Sequence, residues 1–213
     1  MNEHASSLLL LVEVYRRQLR CGMTPWFPIE TSRLLLRGFR AADEIDVHEY
    51  ASDPEVVRLM IWGPNSREMT RAFLARALEE QKEWPRNSVG LAIELKDERH
   101  VIGSIGLRIK DEANRGADIG YVLGRHYWGH GYMPEAARAV LDAAFLRAGL
   151  HRVWATCDPR NRASYRVMEK IGMRREAHFV KNAFEKNEWR DSYLYAVLAE
   201  EWPAMPHPLG GGG

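Results

Sequence analysis

Gly129, Gly131 and Pro134 form the pattern in this sequence that most directly suggests chemistry. The two glycines follow a short apolar stretch, and the proline falls where a helix is predicted to begin. Glycine allows a ligand to approach the backbone closely, and the first amides of a helix have no partner within the helix. Proline suits the first helical turn because its missing N–H is not needed there. The pattern therefore predicts a cradle for a phosphate or pyrophosphate group.

The same glycines are compatible with other structures. The simplest is an ordinary strand–loop–helix corner in which the glycines only permit tight turns. A Rossmann dinucleotide site has a third glycine three residues after the second, and Pro134 stands at that position. A Walker loop ends in Gly-Lys-Ser or Gly-Lys-Thr, which this segment lacks. The phosphate cradle and the plain corner remain as the two interpretations.

A second segment places polar groups near the start of a later helix. Asn161, Ser164 and Met168 are spaced so that they share one face of a helix predicted over residues 160–170. An amide and a hydroxyl on one face can bind a polar ligand. Asn161 could equally be a simple N-cap, which satisfies a free amide of the first helical turn.

The elements around these segments predict a mixed α/β domain. Alternating apolar and polar residues predict strands, and an apolar stripe at helical spacing predicts a helix over residues 133–148. The order of elements implies a sheet that is antiparallel at both ends and has one parallel crossover in its middle. Strands are predicted over residues 33–37, 89–95, 101–109, 118–123, 152–157, 173–184 and 189–199, the last two joined by a hairpin around residues 185–188. One or two further helices, interrupted near residues 52–54, are predicted over residues 41–60, and single helices over residues 67–83 and 160–170.

Length and composition limit the class of protein. The chain has 213 residues, of which 46% are hydrophobic and 28% are charged, as in an ordinary globular domain. Its net charge of +1 argues against nucleic-acid binding and against a polybasic membrane anchor. No stretch approaches the length that spans a bilayer. Two cysteines do not make a disulfide framework, which indicates a cytoplasmic protein.

The two ends of the chain are predicted to lie outside the main domain. Residues 1–23 are interpreted as an N-terminal extension, either an additional amphipathic helix or a stretch upstream of the true start. Residues 24–205 form the predicted domain, and residues 206–213 form a flexible glycine-rich tail.

Together these segments resemble the GNAT superfamily of N-acetyltransferases, in particular the branch of ribosomal-protein N-terminal acetyltransferases of the RimJ/RimL type. The resemblance covers about residues 28–202. It rests on five ordered segments: Glu30-Thr31-Ser32-Arg33-Leu34-Leu35-Leu36-Arg37, Trp128-Gly129-His130-Gly131-Tyr132 with Pro134-Glu135-Ala136, Asn161-x-x-Ser164, Glu169-Lys170-x-Gly172-Met173 and Arg190-Asp191-Ser192-Tyr193-Leu194-Tyr195.

The resemblance implies a GNAT-type fold, with a central mixed sheet of six to seven strands that is splayed at the cofactor site and flanked by helices. It also implies direct transfer from acetyl-CoA, without a metal or a covalent enzyme intermediate. The backbone of Val122 and Leu123 would pair with the pantetheine arm, and one of these amides would polarise the thioester carbonyl. Asn161 would bind the pantetheine or position an active-site water. The residues implied in acetyl-CoA binding are Val122, Leu123, His126, Trp128, Gly129, His130, Gly131, Tyr132, Met133 and Asn161.

Acetyl transfer needs a base for the amine and a proton donor for the departing thiolate. The resemblance implies Asp118 as the base, although Asp118 could instead make a structural hydrogen bond. Glu135 is a weaker candidate, since an acid in a first helical turn usually complements the helix dipole. Many family members have a proton-donating tyrosine where this chain has Met168. The resemblance to relatives that use a serine instead implies Ser164 as the proton donor. Tyr165 is expected to point elsewhere.

Other residues with reactive side chains favour less specific roles. His126 and His130 are four residues apart but lack a third ligand, so no zinc site is expected. His126 also stands where many family members have Gln or Arg, which puts the usual charged contact with phosphate in doubt. Cys157 is interpreted as a buried small hydrophobe. Trp62 lies between the early helices, where the family places an acceptor-site loop.

The leading functional hypothesis is an N-acetyltransferase that moves an acetyl group from acetyl-CoA to a primary amine. The acceptor is either a protein N-terminus or a small-molecule amine, such as an antibiotic or a polyamine. The alternative is a non-catalytic acyl-CoA-binding or regulatory module, which Met168 at the usual tyrosine position favours. No nucleic-acid or membrane partner is expected, and the chain is expected to be a monomer or a homodimer.

Overall fold

Residues 27–82 and 87–202 are described by a computed structural model of the protein. The extension predicted for residues 1–23 and the tail predicted for residues 206–213 lie outside the described residues. Within the part that is described, no helix is both long and apolar enough to cross a bilayer.

One mixed sheet forms the centre of the domain. Its strands are β1 (Ile29–Glu30), β2 (Leu34–Arg37), β3 (Ser88–Leu95), β4 (Val101–Asp111), β5 (Gly116–Leu123), β6 (Arg152–Cys157), β7 (Arg174–Glu185) and β8 (Glu188–Leu198). They lie in the order β1-β2-β3-β4-β5-β6-β8-β7. β5 and β6 run parallel, and the other neighbouring strands are antiparallel.

The helices flank this sheet and are mostly short. They are α1 (Glu44–Ser52), α2 (Pro54–Val57), α3 (Arg67–Glu80), α4 (Tyr132–Asp142) and α5 (Arg162–Lys170). α4 continues into a π-helical turn at Ala143–Arg147. Short 3-10 turns precede α1 at Ala41–Asp43 and α4 at Arg125–Tyr127.

The mixed α/β fold predicted from the sequence is confirmed, with eight strands where six to seven were expected. The additional strand is β1, which has two residues and lies in the lead-in where prolines prevent a helix. The helix predicted over residues 133–148 is α-helical only to Asp142 and then widens into the π-helical turn. The predicted hairpin around residues 185–188 joins β7 and β8.

Apolar clusters lie on both faces of the sheet. On the first face, α4 and α5 pack against the strands through residues such as Ala136 and Met168. On the second face, α1 and α3 pack through residues such as Val47 and Leu74. These four side chains are almost fully buried, and burial of a Val, Leu or Met side chain contributes about 1.5–3 kcal/mol. The sheet is therefore held from both sides.

The parallel pair opens into a gap, which we call the wedge. β5 and β6 pair only at Gly116–Asp118 of β5 and at residues 152–154 of β6. Beyond this point the two described strands share no pairing, so residues 119–123 and 155–157 form the walls of the wedge. Each wall stays ordered because β5 remains paired with β4, and β6 with β8. The splayed sheet that the family resemblance implied is thus present.

A buried ion cluster ties the sheet to the start of α1. The Arg37 guanidinium donates to both carboxylate oxygens of Asp43 at 2.8 Å, and its Nε donates to Glu94 at 2.5 Å. Asp43 also accepts a hydrogen bond from the Arg40 amide at 2.7 Å. The hydrogen bond to Asp43 raises the pKa of Arg37, so the guanidinium stays charged despite its burial. Removal of one member would leave an uncompensated buried charge, which typically costs about 3–5 kcal/mol.

Candidate active site

The loop between β5 and α4 turns at two glycines, and around Gly129 no other atom of the described residues lies within 4 Å of where a Cβ would stand. The Gly124 amide donates to the Ile102 carbonyl at 2.8 Å, which fixes where the loop leaves the sheet. Gly129 and Gly131 have left-handed backbones, with φ of +82° and +80°, a conformation that glycine adopts without strain. Gly131 is the N-cap of α4 and makes no side-chain capping hydrogen bond.

Two amides at the start of α4 are available to a ligand. Pro134 has no N–H, and the Glu135 amide donates to the Gly131 carbonyl at 3.2 Å. The amides of Tyr132 and Met133 have no acceptor within the helix, because they precede its first complete turn. The positive end of the helix dipole lies at the same place. The residues present therefore fit an anionic group such as a phosphate.

A carboxylate clamp, formed by Glu135 and residues 31–33, holds the first turn of α4. One oxygen of Glu135 accepts hydrogen bonds from the hydroxyls of Thr31 and Ser32, at 2.6 and 3.0 Å, and from the Arg33 amide at 3.0 Å. The other oxygen accepts from Arg33 Nε at 2.7 Å. Burial would raise the pKa of Glu135, but the hydrogen bonds from Thr31 and Arg33 outweigh burial and lower it. The weaker base candidate is thus an ionised structural group.

Side chains of the loop reinforce its shape. Trp128 Nε1 donates to the Leu123 carbonyl at 2.7 Å. The His130 ring stacks on the Tyr132 ring with centroids 5.8 Å apart. The Arg33 guanidinium lies 4.4 Å from the centre of the Tyr132 ring, and its Nη1 donates to the His130 carbonyl at 2.9 Å. These contacts connect the loop to the end of β5, to the start of α4 and to the Arg33 side chain.

The hydrogen-bonding phase of β5 decides which backbone groups face the wedge. Hydrogen bonds alternate along an antiparallel strand, and the Gly124 amide donates to Ile102 of β4. Val122, two residues earlier, therefore directs its backbone toward β4. Tyr121 and Leu123 direct theirs toward the wedge. Since the Leu123 carbonyl already accepts from Trp128, its amide is the group left to face the gap.

Side chains from both walls meet α5 inside the wedge. The Tyr121 hydroxyl donates to the Ser164 carbonyl at 2.9 Å, and Ser164 Oγ lies 3.4 Å from Tyr121 Oη. Burial raises the pKa of Tyr121, so its hydroxyl stays neutral. Burial also raises the pKa of Cys157 to about 11, although a hydrogen bond with Ser164 opposes this shift. Cys157 is half-buried, and its thiol is protonated at neutral pH. Both properties agree with its interpretation as a small apolar residue.

Asn161 caps α5. Its Oδ1 accepts a hydrogen bond from the Ser164 amide at 3.1 Å, so the capping interpretation is confirmed. The cap uses only the carbonyl oxygen of the side-chain amide, and the NH2 group takes no part in it. Met168 is buried in the first-face cluster. Tyr165 stacks parallel to Tyr195 with centroids 6.4 Å apart and lines a cavity of about 370 Å³ between α5 and the β7–β8 hairpin.

Asp118 flanks the wedge from the opposite face of the sheet. Side chains alternate along a strand, with Tyr121 packed on the first-face cluster and Val122 in the second-face cluster. Asp118 shares the face of Val122, since the two are four residues apart. Its carboxylate lies 3.7 Å from Arg108 Nε, and its side chain is 32% exposed. Asp118 and Ser164 therefore stand on opposite sides of the gap.

The helix α2 packs on the second face of the sheet, where Val56 and Val57 belong to the apolar cluster. Asp53 is its N-cap, and the Asp53 carboxylate pairs with Arg125 Nε at 3.2 Å, in the turn that leads into the glycine loop. At the other end of α2, the Val57 carbonyl accepts from the Met60 amide at 2.9 Å and from the Lys186 ammonium at 2.8 Å. α2 is thus tied to the glycine loop at one end and to the β7–β8 hairpin at the other.

Trp62 lies in the segment of residues 58–65, which follows α2 and which we call the α2–α3 loop. The indole is half-buried against the second-face cluster. Gly63 has φ of +71°, and a Cβ built there would lie 2.9 Å from a methyl of Val57. The α2–α3 loop therefore packs directly on the end of α2.

The remaining imidazole of the motif has no specialised environment. His126 is exposed on the 3-10 turn before α4. Within residues 27–82 and 87–202, no group of three His, Cys, Asp or Glu side chains is placed to hold a metal ion.

Sequence reasoning gave no role to Tyr121, Arg33 or Lys186. Arg33 stands within one of the five segments of the family resemblance, and that pattern does not reveal that its guanidinium joins Glu135 to the glycine loop. Tyr121 alternates with Val122 along β5, and this alternation could have placed its side chain on the face opposite to that of Val122. Lys186 stands in a two-residue hairpin turn, where Asn and Gly are the usual residues. This departure was the available signal.

Comparison with known proteins agrees with this geometry. A family model described as an acetyltransferase (GNAT) domain matches residues 33–174. The uncharacterized N-acetyltransferase YnaD of Bacillus subtilis (strain 168) is 41% identical over 174 residues, which cover 82% of this chain and 98% of that protein. The uncharacterized N-acetyltransferase p20 of Bacillus licheniformis is 31% identical over 179 residues, covering 81% and 96%. The chain belongs to the GNAT acetyltransferase family.

Solved structures share the same architecture. A crystal structure of a GNAT-family acetyltransferase from Bacillus anthracis has a TM-score of 0.72 and 40% identity, and covers 81% of this chain and 99% of its own. Spermidine N-acetyltransferase from Vibrio cholerae, solved with CoA and spermine, has a TM-score of 0.69 at 17% identity, with coverage of 81% and 99%. At that identity the likeness concerns the fold.

Proposed function

We propose that the protein transfers an acetyl group from acetyl-CoA directly to a primary amine, either a protein N-terminus or a small-molecule amine. The observation that carries this proposal is the start of α4, where the amides of Tyr132 and Met133 have no acceptor within the helix and follow the strand that forms one wall of the wedge. If the pyrophosphate of acetyl-CoA binds there, its extended pantetheine arm can enter the wedge beside it. Membership of an acetyltransferase family supports the reaction class.

The glycine loop is the proposed site for the pyrophosphate. Gly129 and Gly131 allow close approach, and the amides of Tyr132 and Met133 donate to phosphate oxygens. Side chains at the rim of the loop would add contacts from His126, Trp128 and His130. No metal is required for this recognition.

The wedge is the proposed site for the pantetheine arm and the thioester. The strand phase favours the backbone of Tyr121 and Leu123 as its partners, with Val122 contributing packing on the second face. The Leu123 amide is the proposed donor to the thioester carbonyl, where it would stabilise the oxyanion. The NH2 group of Asn161, which the cap leaves free, would bind the arm or a water.

The chemical step would use groups on both faces of the wedge. The amine nitrogen attacks the thioester carbonyl, a C–N bond forms, the C–S bond breaks, and Asp118 accepts the proton that the amine loses, directly or through water. Ser164 Oγ donates a proton to the departing thiolate and regains one from solvent. Cys157 does not act as a nucleophile in this scheme, since its raised pKa disfavours the thiolate.

A protein N-terminus is the first candidate acceptor, because the sequence segments resemble the RimJ/RimL branch. A small amine is the second candidate, and the V. cholerae spermidine enzyme is a protein of the same fold that is named for such an acceptor. The cytoplasm is the proposed compartment, because neither cysteine indicates a disulfide framework.

One observation favours a non-catalytic acyl-CoA-binding module as a second candidate. Met168 stands where many relatives have a proton-donating tyrosine, and its side chain is only 1% exposed. A buried thioether cannot protonate a thiolate. Under this alternative the glycine loop would bind acetyl-CoA, but no amine would be acetylated.

Calorimetric titration with acetyl-CoA, followed by a thiol-release assay over a panel of peptides and small amines, tests the proposal. We expect micromolar binding and a release rate that at least one amine raises well above hydrolysis. Binding without any productive amine would favour the module. Absence of binding would refute the proposed function in both forms.

A further inference from the structure

We propose that Lys186 is a positioning residue for the amine acceptor. Its ammonium holds the end of α2 and the α2–α3 loop against the tip of the β7–β8 hairpin. The loop and the hairpin together then form one wall of the acceptor groove. This inference rests on the proposed function, because the groove is defined as the approach to the wedge on the second face of the sheet.

The contact itself is specific in its chemistry. Lys186 Nζ donates to the Val57 carbonyl at 2.8 Å, across 129 positions of the chain. Val57 is the last residue of α2, and the final carbonyls of a helix have no donor within the helix. A cation at that end also complements the helix dipole. Lys186 thus adds, from a distant strand pair, a second donor to a carbonyl that the Met60 amide already caps locally.

The hairpin turn does not by itself explain a lysine at this position. Lys186 and Asn187 have left-handed backbones, with φ of 50° and 63°. Two-residue turns of this kind favour Asn or Gly at both places, because other side chains are strained there. A lysine therefore weakens the turn, and its ammonium makes a contact with the Val57 carbonyl that the shorter Asn or Gly could not make.

The position of Val57 is transmitted to the loop that carries Trp62. The Val57 carbonyl also accepts from the Met60 amide at 2.9 Å. Gly63 packs so tightly on Val57 that even a Cβ would collide with its methyl groups. Val57 and Val122 belong to the same apolar cluster, so this loop lies on the face of the sheet to which the Val122 side chain points. Loss of the hydrogen bond between Lys186 and Val57 would therefore let the end of α2 and the α2–α3 loop move together.

Three variants separate the ammonium contact from the turn. Lys186→Met keeps the apolar stem and the strained backbone but loses the hydrogen bond. Lys186→Gly loses the hydrogen bond and relieves the strain. Lys181→Met is the matched control, since Lys181 is also exposed and left-handed in the same hairpin, with φ of 47°.

Hydrogen–deuterium exchange of residues 58–65 is the first readout, and it needs no acceptor. We expect amides of this loop to exchange at least about fivefold faster in Lys186→Met and in Lys186→Gly, and at the wild-type rate in Lys181→Met. Steady-state kinetics with an amine from the panel is the second readout. KM for the amine should rise about fivefold in both Lys186 variants, with kcat within about twofold of wild type.

Acetyl-CoA affinity keeps this test independent of the proposed function. Titration with acetyl-CoA should give the same Kd for all three variants and the wild type. If Lys186→Gly keeps wild-type exchange in residues 58–65, or if Lys181→Met matches the Lys186 variants, the positioning role is wrong. If the wild type binds no acetyl-CoA, the proposed function fails, whereas the exchange result still decides whether Lys186 holds the loop.

Discussion

The two sides of the wedge that we propose for the acetyl donor and for the amine acceptor, called here the donor side and the acceptor side, are built in different ways. The donor side consists of the glycine loop and the start of α4, a nearly continuous stretch from Leu123 to Glu135 that presents backbone amides. The acceptor side consists of α2, the α2–α3 loop and the tip of the β7–β8 hairpin, which meet through the contact of Lys186 with Val57. The donor side is formed by the backbone of one continuous segment, and the acceptor side by side chains that are far apart in the sequence.

This difference indicates how each side tolerates change. Backbone donors survive most side-chain substitutions, provided that the glycines and the helix start are kept, so recognition of a constant donor can persist in a family. A wall made by distant side chains changes when any one of them changes. We therefore expect the donor to be common to relatives and the acceptor to vary.

The largest expected effect tests the donor side. Gly131→Leu should weaken acetyl-CoA binding at least about 30-fold, which is about 2 kcal/mol, because a side chain at the N-cap covers the free amides. Gly149→Leu is the control, since Gly149 is also left-handed, with φ of +65°, and has open space around it. Both variants should lose similar stability from backbone strain. Calorimetry that shows equal affinities for the two variants would contradict the assigned loop.

A smaller effect is expected from the group between the two sides. Ser164→Ala should lower kcat about tenfold to 30-fold while the Kd for acetyl-CoA stays constant, because the departing thiolate loses its proton donor. Ser66→Ala is the control: this hydroxyl caps α3 by accepting from the Met69 amide at 3.3 Å, so only stability should fall, by about 1 kcal/mol. Full turnover in Ser164→Ala would remove Ser164 from the mechanism.

The smallest effect concerns the clamp behind the donor side, and it depends on pH. The pKa of Glu135 lies below its ordinary value of 4.5. Its carboxylate therefore stabilises the fold above about pH 4.5, and this contribution is lost as the pH falls through the lowered pKa. Glu135→Gln should cost about 1–2 kcal/mol at pH 7, and the difference from wild type should shrink at more acidic pH.

Urea denaturation of both proteins across this pH range measures the difference. Glu112→Gln provides the control, because Glu112 is exposed in the turn between β4 and β5. Its stability should follow the wild type at every pH. A pH-independent loss in Glu135→Gln would mean that the clamp works through packing and not through charge.

Features with a local sequence signal could be predicted. Hydrophobic periodicity identified the strands and the apolar stripe of α4, and Asn161 was open to interpretation as an N-cap from its place before a helix. The loop with Gly129 and Gly131 was recognisable because glycine is the residue that tight turns and close approach of a ligand to the backbone favour. These features depend on neighbours within about one helical turn, so a single sequence contains their cause.

Features that depend on distant partners could not be predicted. Glu135 lies 102 to 104 positions from the residues of its clamp, and in the sequence it resembles an ordinary acid that complements a helix dipole. Lys186 resembles a solvated hairpin lysine until Val57 is brought beside it. The two-residue β1 and the π-helical turn after Asp142 are likewise set by packing against the rest of the domain. Their causes lie in tertiary structure.

The wedge penetrates the sheet, and this has a kinetic consequence. A thioester entering beside α4 and an amine arriving beside α2 would have separate entrances, so neither has to depart before the other can dock. We expect initial-rate plots with intersecting lines, as for a sequential mechanism through a ternary complex. Parallel lines would instead indicate a covalent acetyl-enzyme intermediate, and the protonated thiol of Cys157 is poorly suited to form one.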